Sequence, residues 1–249
     1  MNPTGPTPHA DVTDADDDLP GRPAAGPQVL EEHDDAGRLS SRTELLDGRP
    51  HGLMQQFGPD GRPRLTARYE HGLLHGQLSL FDDAGQPTQV AEYRQGRQHG
   101  LTRVFSAGLC IAEQTYAHGL LHGSTVARDG QGHTVLQQSY RRGQPDGQAQ
   151  FFRDARLVRT AHYRGGLLDG DCVDYDASGA VLQCVPHQAN QPHGRARRYW
   201  PDGTLMEEIE YQHGKPAAAP ARYDRKGHAL VGAEATPGLL ARIEQLLRG

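Results

Sequence analysis

The stretch HGLLHG occurs at residues 71–76 and again, letter for letter, at residues 118–123. Two histidines around an apolar pair could begin a metal site, or they could be turn residues that a repeat copies along the chain. The second glycine of the stretch, here called the marker glycine, decides between these possibilities. It recurs at Gly52, Gly76, Gly100, Gly123, Gly147, Gly170 and Gly194, and Ala218 takes the eighth place. The intervals are 24, 24, 23, 24, 23, 24 and 24 residues, which indicates tandem units.

Two aromatic positions accompany the marker glycine. Five residues after it stand Phe57, Phe81, Phe105, Phe152, Tyr175, Tyr199 and Tyr223, with Arg128 in the remaining unit. Seven residues before it stand Tyr69, Tyr93, Tyr116, Tyr140, Tyr163 and Tyr211, with Leu45 and His187 as replacements. The unit therefore reads Y-x-x-G-x-x-(H/D)-G-x4-(F/Y).

Two short units show where the chain turns. Most units keep the spacing of FDDAG (81–85), but FSAG (105–108) lacks one residue, and FRDA (152–155) is short at the same place. A surface turn tolerates a deletion that would shift the register of a strand. Asp and Gly also suit turns, because Asp caps local backbone groups and Gly adopts positive φ. Each unit is therefore predicted to be one β-hairpin.

The segments between turns have the length and composition of strands, although their alternation of apolar and polar residues is imperfect. Examples are QLSLF (77–81), TQVAEY (88–93), LTRVF (101–105) and TVLQQSY (134–140). Neighbouring hairpins would pair into an all-β repeat protein, an elongated and twisted antiparallel sheet on the order of 75 Å long with an aromatic ladder along it.

The two ends of the chain differ from the repeats in composition. Residues 1–27 are rich in Pro, Asp, Gly and Ala and are predicted to be a disordered tail, ahead of about eight hairpin repeats over residues 28–232. Residues 233–249 are predicted to hold a short amphipathic helix, TPGLLARIEQLLR (236–248), with Thr236 as N-cap and Pro237 at the first helical position. Its apolar stripe would cap the last hairpin, and a partner-binding or membrane-surface helix is the alternative.

Charge and composition bound the function. A formal net charge of −5 argues against a dedicated nucleic-acid binder. The chain has no apolar run of membrane-spanning length and no signal-peptide pattern, so a cytoplasmic location is expected. Cys110, Cys172 and Cys184 are an odd number without a CxxC motif. If YDASG (175–179) is a turn, Cys172 and Cys184 are near neighbours but not directly opposite, and free thiols are expected.

The recurring pattern resembles the MORN repeat, and more closely its bacterial variant, in the YwqK-type antitoxin group. The resemblance covers roughly residues 30–230, with departures at Ala218, His187 and Arg128. It implies tandem β-hairpins and a binding or scaffolding role without catalysis. Members of the bacterial group resemble proteins encoded beside toxins or secreted effectors, which implies immunity or adaptor work.

The histidines of HGLLHG are best interpreted as turn residues. The position directly before the marker holds His51, His75, His99, His122 and His193, but also Asp146 and Asp169. His71, His118 and His213 share a second position with Gln95, Arg142 and Gly165. No set of ligands typical of zinc, no nucleophile elbow and no phosphate loop occurs, so neither a metal, a cofactor nor an enzyme is predicted.

Leucine pairs recur every 47 residues in the position between the two histidines. They are Leu73 and Leu74, Leu120 and Leu121, and Leu167 and Leu168. These leucines either pack under the connecting loops of a duplicated two-hairpin unit, or they form a discontinuous apolar stripe that binds a partner.

Two functions from different classes remain open. The first is a protein-binding scaffold, most specifically an antitoxin-like or immunity-like protein, or an effector adaptor, whose partner is another protein. The second is a lipid or membrane-surface module. The densest basic cluster, RARRYW (195–200), holds three arginines, which give only marginal attraction to anionic lipid. The oligomeric state is not predicted.

Overall fold

The computed structural model describes residues 26–230, and it is built from strands and turns throughout that range. The strands are β1 (Gln28–His33), β2 (Leu39–Leu46), β3 (Arg49–Phe57), β4 (Pro63–Glu70), β5 (Leu73–Phe81), β6 (Pro87–Arg94), β7 (Arg97–Ser106), β8 (Leu109–Ala117), β9 (Leu120–Arg128), β10 (Thr134–Arg141), β11 (Gln144–Arg153), β12 (Arg156–Arg164), β13 (Leu167–Leu168), β14 (Gly170–Tyr175), β15 (Val181–Gln188), β16 (Gln191–Pro192), β17 (Gly194–Tyr199), β18 (Leu205–Gln212), β19 (Lys215–Pro216) and β20 (Ala221–Arg222). The predicted tail (1–27) falls almost wholly outside the described residues, and the predicted capping helix (236–248) lies wholly outside them.

The strands form one antiparallel meander in which each strand pairs with its neighbours in sequence. Toward the C-terminal end, three strand positions of the sheet are each divided into two short segments that pair with the same neighbouring strand. These segments are β13 with β14, β16 with β17, and β19 with β20. The sheet is not closed, because within the described chain β1 and β20 lie at opposite ends of the meander. The predicted all-β array of hairpins is confirmed.

Tight turns of two residues connect one unit to the next on one side of the sheet, here called the tight-turn side. In the first copy of HGLLHG, His71 has φ 49° and Gly72 has φ 83°. Gln95 with Gly96 and His118 with Gly119 occupy the same conformation. Hairpin turns of this kind need positive φ at both central residues, which explains the glycine in the second position.

Longer turns lie on the opposite side and are stabilised by aspartate. Asp82 Oδ1 accepts hydrogen bonds from the backbone N–H groups of Ala84 (2.9 Å) and Gln86 (2.8 Å). Asp129, Asp176 and Asp224 make the same pair of contacts in their units. The predicted capping role of aspartate is confirmed. The two short units turn instead through Ala107-Gly108 and Asp154-Ala155, where all four residues have positive φ.

A row of directly opposed residues crosses the middle of one face of the sheet. It runs through Met54, Ala67, Leu78, Ala91, Thr102, Gln114, Thr125, Gln138, Ala149 and Ala161. Its alanines are almost completely buried, with Ala91 and Ala149 at 0% exposure. Because the described chain places no second layer over the sheet, burial here depends on larger side chains that flank small ones.

The repeated tyrosines lie on the same face of the sheet, two residues along each strand from this row. This face is called the tyrosine face below. Tyr69, Tyr93 and Tyr116 stand directly opposite the marker glycines Gly52, Gly76 and Gly100. The predicted aromatic ladder is therefore a row in which tyrosine alternates with glycine, at about 9.6 Å from one tyrosine to the next.

The imperfect alternation of the strands also has a structural cause. Each hairpin carries register shifts, for example between Leu80 and Phe81 where β5 pairs with β6. The irregularity between Ala67 and Tyr69 where β4 pairs with β5 is different, because its two-residue offset leaves both side chains on the tyrosine face. Because a one-residue offset moves the following side chains to the other face, a strand with such a shift cannot show strict period-two alternation.

Candidate partner-binding site

The tyrosine face contains a cavity of about 540 Å³ between β10 and β15. Apolar and aromatic side chains dominate its wall, and a few polar groups interrupt them. The lining residues are Val135, Phe151, Phe152, Arg153, Val158, Arg159, Ala161, Tyr163, Leu168, Cys172, Asp174, Tyr175 and Leu182. An apolar concavity with a few oriented polar groups is typical of a binding site.

Arg159 and Asp174 form an ion pair in this wall, and they face each other across β12 and β14. Both guanidinium contacts go to the same carboxylate, with Arg159 Nη2 at 3.0 Å from Asp174 Oδ2. Burial raises the pKa of the Cys172 thiol and the pKa of the Tyr163 phenol. At neutral pH both groups therefore stay protonated. A bound side chain would meet the internally neutralised pair of Arg159 and Asp174, with Arg153 as the remaining charged residue of the lining.

This ion pair belongs to a polar row that continues across the sheet to its C-terminal end. The row consists of Arg159, Asp174, Gln183, Arg198, Glu207 and Arg222, each directly opposite the next. Gln183 donates to Asp174, and Glu207 accepts from Arg222 at 3.0 Å. Glu207 is 7% exposed, so its contacts with Arg198 and Arg222 are needed to hold the charge.

The polar row and the cavity were not found from the sequence. Their residues are far apart in the chain and share no motif. The only available signal was the position directly before each repeated aromatic residue, or four residues before each repeated tyrosine. There, apolar residues such as Leu65, Leu80 and Val104 in the early strands give way to charged ones later. The register was needed to place these positions in one row.

The leucines predicted as partner-binding residues lie along the tight-turn side. The first member of each pair is exposed, with Leu73 at 51%, Leu120 at 50% and Leu167 at 43%. The second members, Leu74, Leu121 and Leu168, are half-buried and stand opposite Tyr69, Tyr116 and Tyr163. Leu168 also lines the cavity. The pairs therefore combine an inner packing position with an outer exposed one.

The outer leucines do not form a continuous surface. Leu73 on β5 and Leu120 on β9 are four inter-strand spacings apart, which corresponds to about 19 Å across the sheet. Arg97 occupies the equivalent position between Leu73 and Leu120, and Gln144 occupies it between Leu120 and Leu167. The hypothesis of a discontinuous stripe remains a prediction, and each leucine would be a separate point of contact.

The histidines of neighbouring units meet in pairs on the tight-turn side. The ring centroids of His51 and His71 are 5.0 Å apart, and His71 N–H lies 3.4 Å from His51 Nδ1. His99 with His118, and His193 with His213, repeat this arrangement at 5.5 and 5.0 Å. Within residues 26–230 no group of three or more His, Cys, Asp or Glu side chains converges to hold a metal ion.

The basic cluster RARRYW is neutralised by the next strand. Arg197 contacts Glu208 at 3.0 Å, and Arg195 contacts Glu210 at 3.4 Å. Arg198 lies 3.6 Å from Glu207. Among residues 26–230, no helix has the length and hydropathy needed to cross a membrane.

Comparison with protein families matches residues 192–213 to the MORN repeat variant. The matched stretch contains β17 and β18 with their connecting turn, which is one hairpin of the array. Because the same sequence pattern recurs through the other units, the match supports a MORN-repeat protein. No curated protein matches the chain.

Two solved structures contain chains with local similarity to this one. A chain of the Photorhabdus luminescens Tc holotoxin pore is 13% identical over 80% of this chain and 13% of that chain, with a TM-score of 0.22. A chain of the TcdB2-TccC3-Cdc42 crystal structure is 14% identical over 78% of this chain and 14% of that chain, with a TM-score of 0.17. This chain thus spans about one seventh of the length of either, and neither carries an argument about function.

Proposed function

We propose that this chain is a non-catalytic repeat scaffold that binds one other protein, as an antitoxin-like or immunity-like protein, or an effector adaptor, would do in the bacterial cytoplasm. The observation that carries the proposal is the apolar cavity of about 540 Å³ on the tyrosine face. Aromatic walls around a few polar groups suit the anchoring side chain of a protein partner, because such pockets supply most of the binding energy in an interface.

The chemistry of the cavity supports binding rather than catalysis. Arg159 and Asp174 neutralise each other. The Cys172 thiol has a raised pKa through burial, which makes it a poor nucleophile at neutral pH. The ion pairs of Arg195, Arg197 and Arg198 with glutamates also weaken the case for a lipid-binding module, because they reduce the attraction to anionic headgroups.

The test uses the proteins encoded by the genes that flank this one, each co-expressed and co-purified with the chain. Leu182→Arg places a charge at the cavity wall, at a residue that is 39% exposed. Leu109→Arg is the matched control, since Leu109 is 43% exposed and does not line the cavity. We expect Leu182→Arg to weaken the complex about tenfold or more, and Leu109→Arg to leave it unchanged.

Equal binding by the wild type and Leu182→Arg would contradict the assignment of the cavity. Sedimentation with anionic vesicles at physiological salt addresses the lipid alternative. Clear co-sedimentation of the wild-type chain, together with no complex with any flanking gene product, would favour the membrane-surface function instead.

A further inference from the structure

Charged residues on the tight-turn side follow a pairing rule. When the residue six positions before a marker glycine is charged, the residue directly before that glycine usually carries a complementary group. Glu70 lies 3.0 Å from His75 Nδ1. Arg141 lies 3.3 Å from Asp146, and Arg164 lies 3.6 Å from Asp169. Each of these three units therefore supplies a complementary group for its charged residue.

The unit of Gly100 breaks this rule. Arg94 occupies the position six residues before the marker, but the position directly before it is His99 rather than aspartate. Arg97 stands directly opposite Arg94 across the tight turn, so two like charges face each other. Like charges in opposed positions destabilise a hairpin. In the described chain neither arginine forms an ion pair or a side-chain hydrogen bond.

These residues surround a second cavity, of about 450 Å³. It is lined by Leu73, Arg94, Gln95, Arg97, His99 and His118, and this lining contains no carboxylate. The rings of His99 and His118 are in edge contact at 5.5 Å.

The acidic residues Glu70 and Glu92 do not supply a counter-charge to this cavity. Glu70 is engaged by His75 in the preceding unit. Glu92 lies two residues before Arg94 on the same strand, and it neither pairs with Arg94 nor lines the cavity. The cavity is therefore a basic site without an internal counter-charge.

We infer that this cavity binds an oxyanion, and that its occupant is the carboxylate of an acidic segment of the protein partner. The two guanidinium groups offer planar pairs of N–H donors that match a carboxylate, and the imidazole rings add further donors. The inference rests on the proposed scaffold function and names the chemistry of the partner at one point of contact.

The surroundings favour a protein segment over a membrane. Glu70, Asp146 and Asp169 also lie on the tight-turn side, so a flat anionic surface would meet negative as well as positive groups. A single acidic side chain can enter the cavity and avoid them. The exposed Leu73 in the cavity wall offers apolar contact to the stem of such a side chain.

The test measures binding of a blocked tetraglutamate peptide to the full chain by calorimetry at low salt. We expect saturable binding that weakens about tenfold or more in the double variant Arg94→Gln/Arg97→Gln, because charge-assisted contacts are lost. The control is Arg141→Gln/Arg164→Gln. It removes the two arginines that occupy the position of Arg94 in other units, where each already pairs with a carboxylate, and it should bind like the wild type.

A second variant, His99→Asp, copies the arrangement of Arg141 and Asp146 and gives Arg94 an internal partner. It should abolish peptide binding while circular dichroism shows an unchanged sheet. Absence of saturable peptide binding by the wild type, or equal weakening in the two double variants, would overturn the site. Binding of inorganic phosphate with the same variant dependence, but no binding of the peptide, would overturn the acidic-segment assignment.

Vesicles containing phosphatidylserine test whether the occupant of the cavity is a lipid headgroup. Sedimentation with them that depends on Arg94 and Arg97, without peptide binding, would replace the protein segment by a membrane. The same variants are also tested for the complex with the flanking gene product. A complex that survives in all of them, while the wild type fails to bind the peptide, would remove this site and leave the scaffold function standing.

Discussion

The central row of the tyrosine face is buried where its side chains are small. Ala67, Ala91 and Ala149 are at most 1% exposed. Thr102 and Thr125 occupy the same row, and their hydroxyl groups are buried without a hydrogen-bond partner. A buried hydroxyl without a partner loses its hydration and regains nothing, so these two residues are expected to be weak points of the row.

Replacing each of these threonines with valine should therefore stabilise the fold. Valine keeps the shape and removes the unsatisfied hydroxyl, and we expect Thr102→Val and Thr125→Val each to raise the free energy of unfolding by about 1 kcal/mol. Urea denaturation measures the change. Thr160→Val is the control, because the Thr160 hydroxyl lies 3.4 Å from the Tyr175 hydroxyl and its removal should not stabilise. A loss of stability at positions 102 and 125 would contradict this account.

The turns impose the strongest conformational demand on individual elements. In the short hairpin between β11 and β12, Asp154 and Ala155 adopt φ values of 50° and 59°. Alanine is strained in this region because its Cβ approaches the neighbouring carbonyl oxygen, whereas glycine is not. The other short hairpin has Gly108 at the corresponding position. The turn at Asp154 and Ala155 is therefore strained, because position 155 holds alanine instead of glycine.

Ala155→Gly should relieve this strain. We expect the free energy of unfolding to rise by about 0.5–1 kcal/mol, since the relief exceeds the added entropy of the unfolded chain. The matched control is Ala84→Gly in the longer turn between β5 and β6, where φ is not positive and the same exchange should lower stability. Thermal melting of both variants distinguishes them, and a shift in the same direction for both would contradict the strain argument.

The aspartate turns predict sensitivity to acid. Backbone N–H donors lower the pKa of Asp34, Asp60 and Asp224, and hydroxyl donors from Ser178 and Thr204 lower the pKa of Asp176 and Asp202. A carboxyl whose folded pKa is below its unfolded value adds stability above that unfolded value, which is near 3.8. That stability is lost as the pH falls through the lowered folded pKa.

The melting temperature should therefore fall as the pH drops below about 4. Asparagine at these five positions keeps an oxygen acceptor for the turn and does not titrate. The fivefold Asp→Asn variant should show a shallower decline between pH 5 and 2, measured as melting temperature against pH. An identical acid profile for the variant and the wild type would contradict the role of these turns.

The whole molecule is a linear array, in which each hairpin contacts its neighbours and stability is a sum over adjacent pairs. Hydrogen bonds also join neighbouring tight turns, as from Gly96 N–H to the carbonyl of Leu74 at 2.8 Å, and from Gly143 N–H to that of Leu121 at 2.7 Å. These bonds hold successive turns at a regular distance. Groups on the tight-turn side thus form an ordered series that a long partner could contact.

The leucine pairs offer a test at this level, because their two members have different environments. Exchange of the outer leucines (Leu73, Leu120, Leu167) for glutamine should leave the melting temperature nearly unchanged, since each is about half exposed. Exchange of the inner leucines (Leu74, Leu121, Leu168) should lower stability by about 1–2 kcal/mol each, because they pack beside tyrosines.

Partner binding is then measured with the outer variant, which remains folded. Loss of the complex with the flanking gene product would support the stripe, and an intact complex would refute its role. A collapsed fold in the outer variant would show instead that these leucines are structural.

The sequence by itself determined the hairpin repeat, the side on which each turn lies and the turn role of His71 and Asp82. Those features depend on local preferences, which the regular spacing of glycine, tyrosine and aspartate displays directly. The register of Cys172 against Val185 and of Cys184 against Val173 also follows the sequence expectation that the two cysteines are not opposite, and both thiols are free.

Only the tertiary structure decided which distant residues meet. One-residue register shifts set the face on which a side chain lies. They fall beside the repeated aromatic residues, as between Leu80 and Phe81, but the offset itself is visible only in the strand pairing. The pairing of successive strands brings Arg159, Asp174 and Glu207 into one polar row, and it assembles the linings of the two cavities. Strand pairing joins residues such as Arg159 and Asp174, or Glu207 and Arg222, that are 15 positions apart. The sites therefore arise from cross-strand neighbours that a one-dimensional pattern does not display.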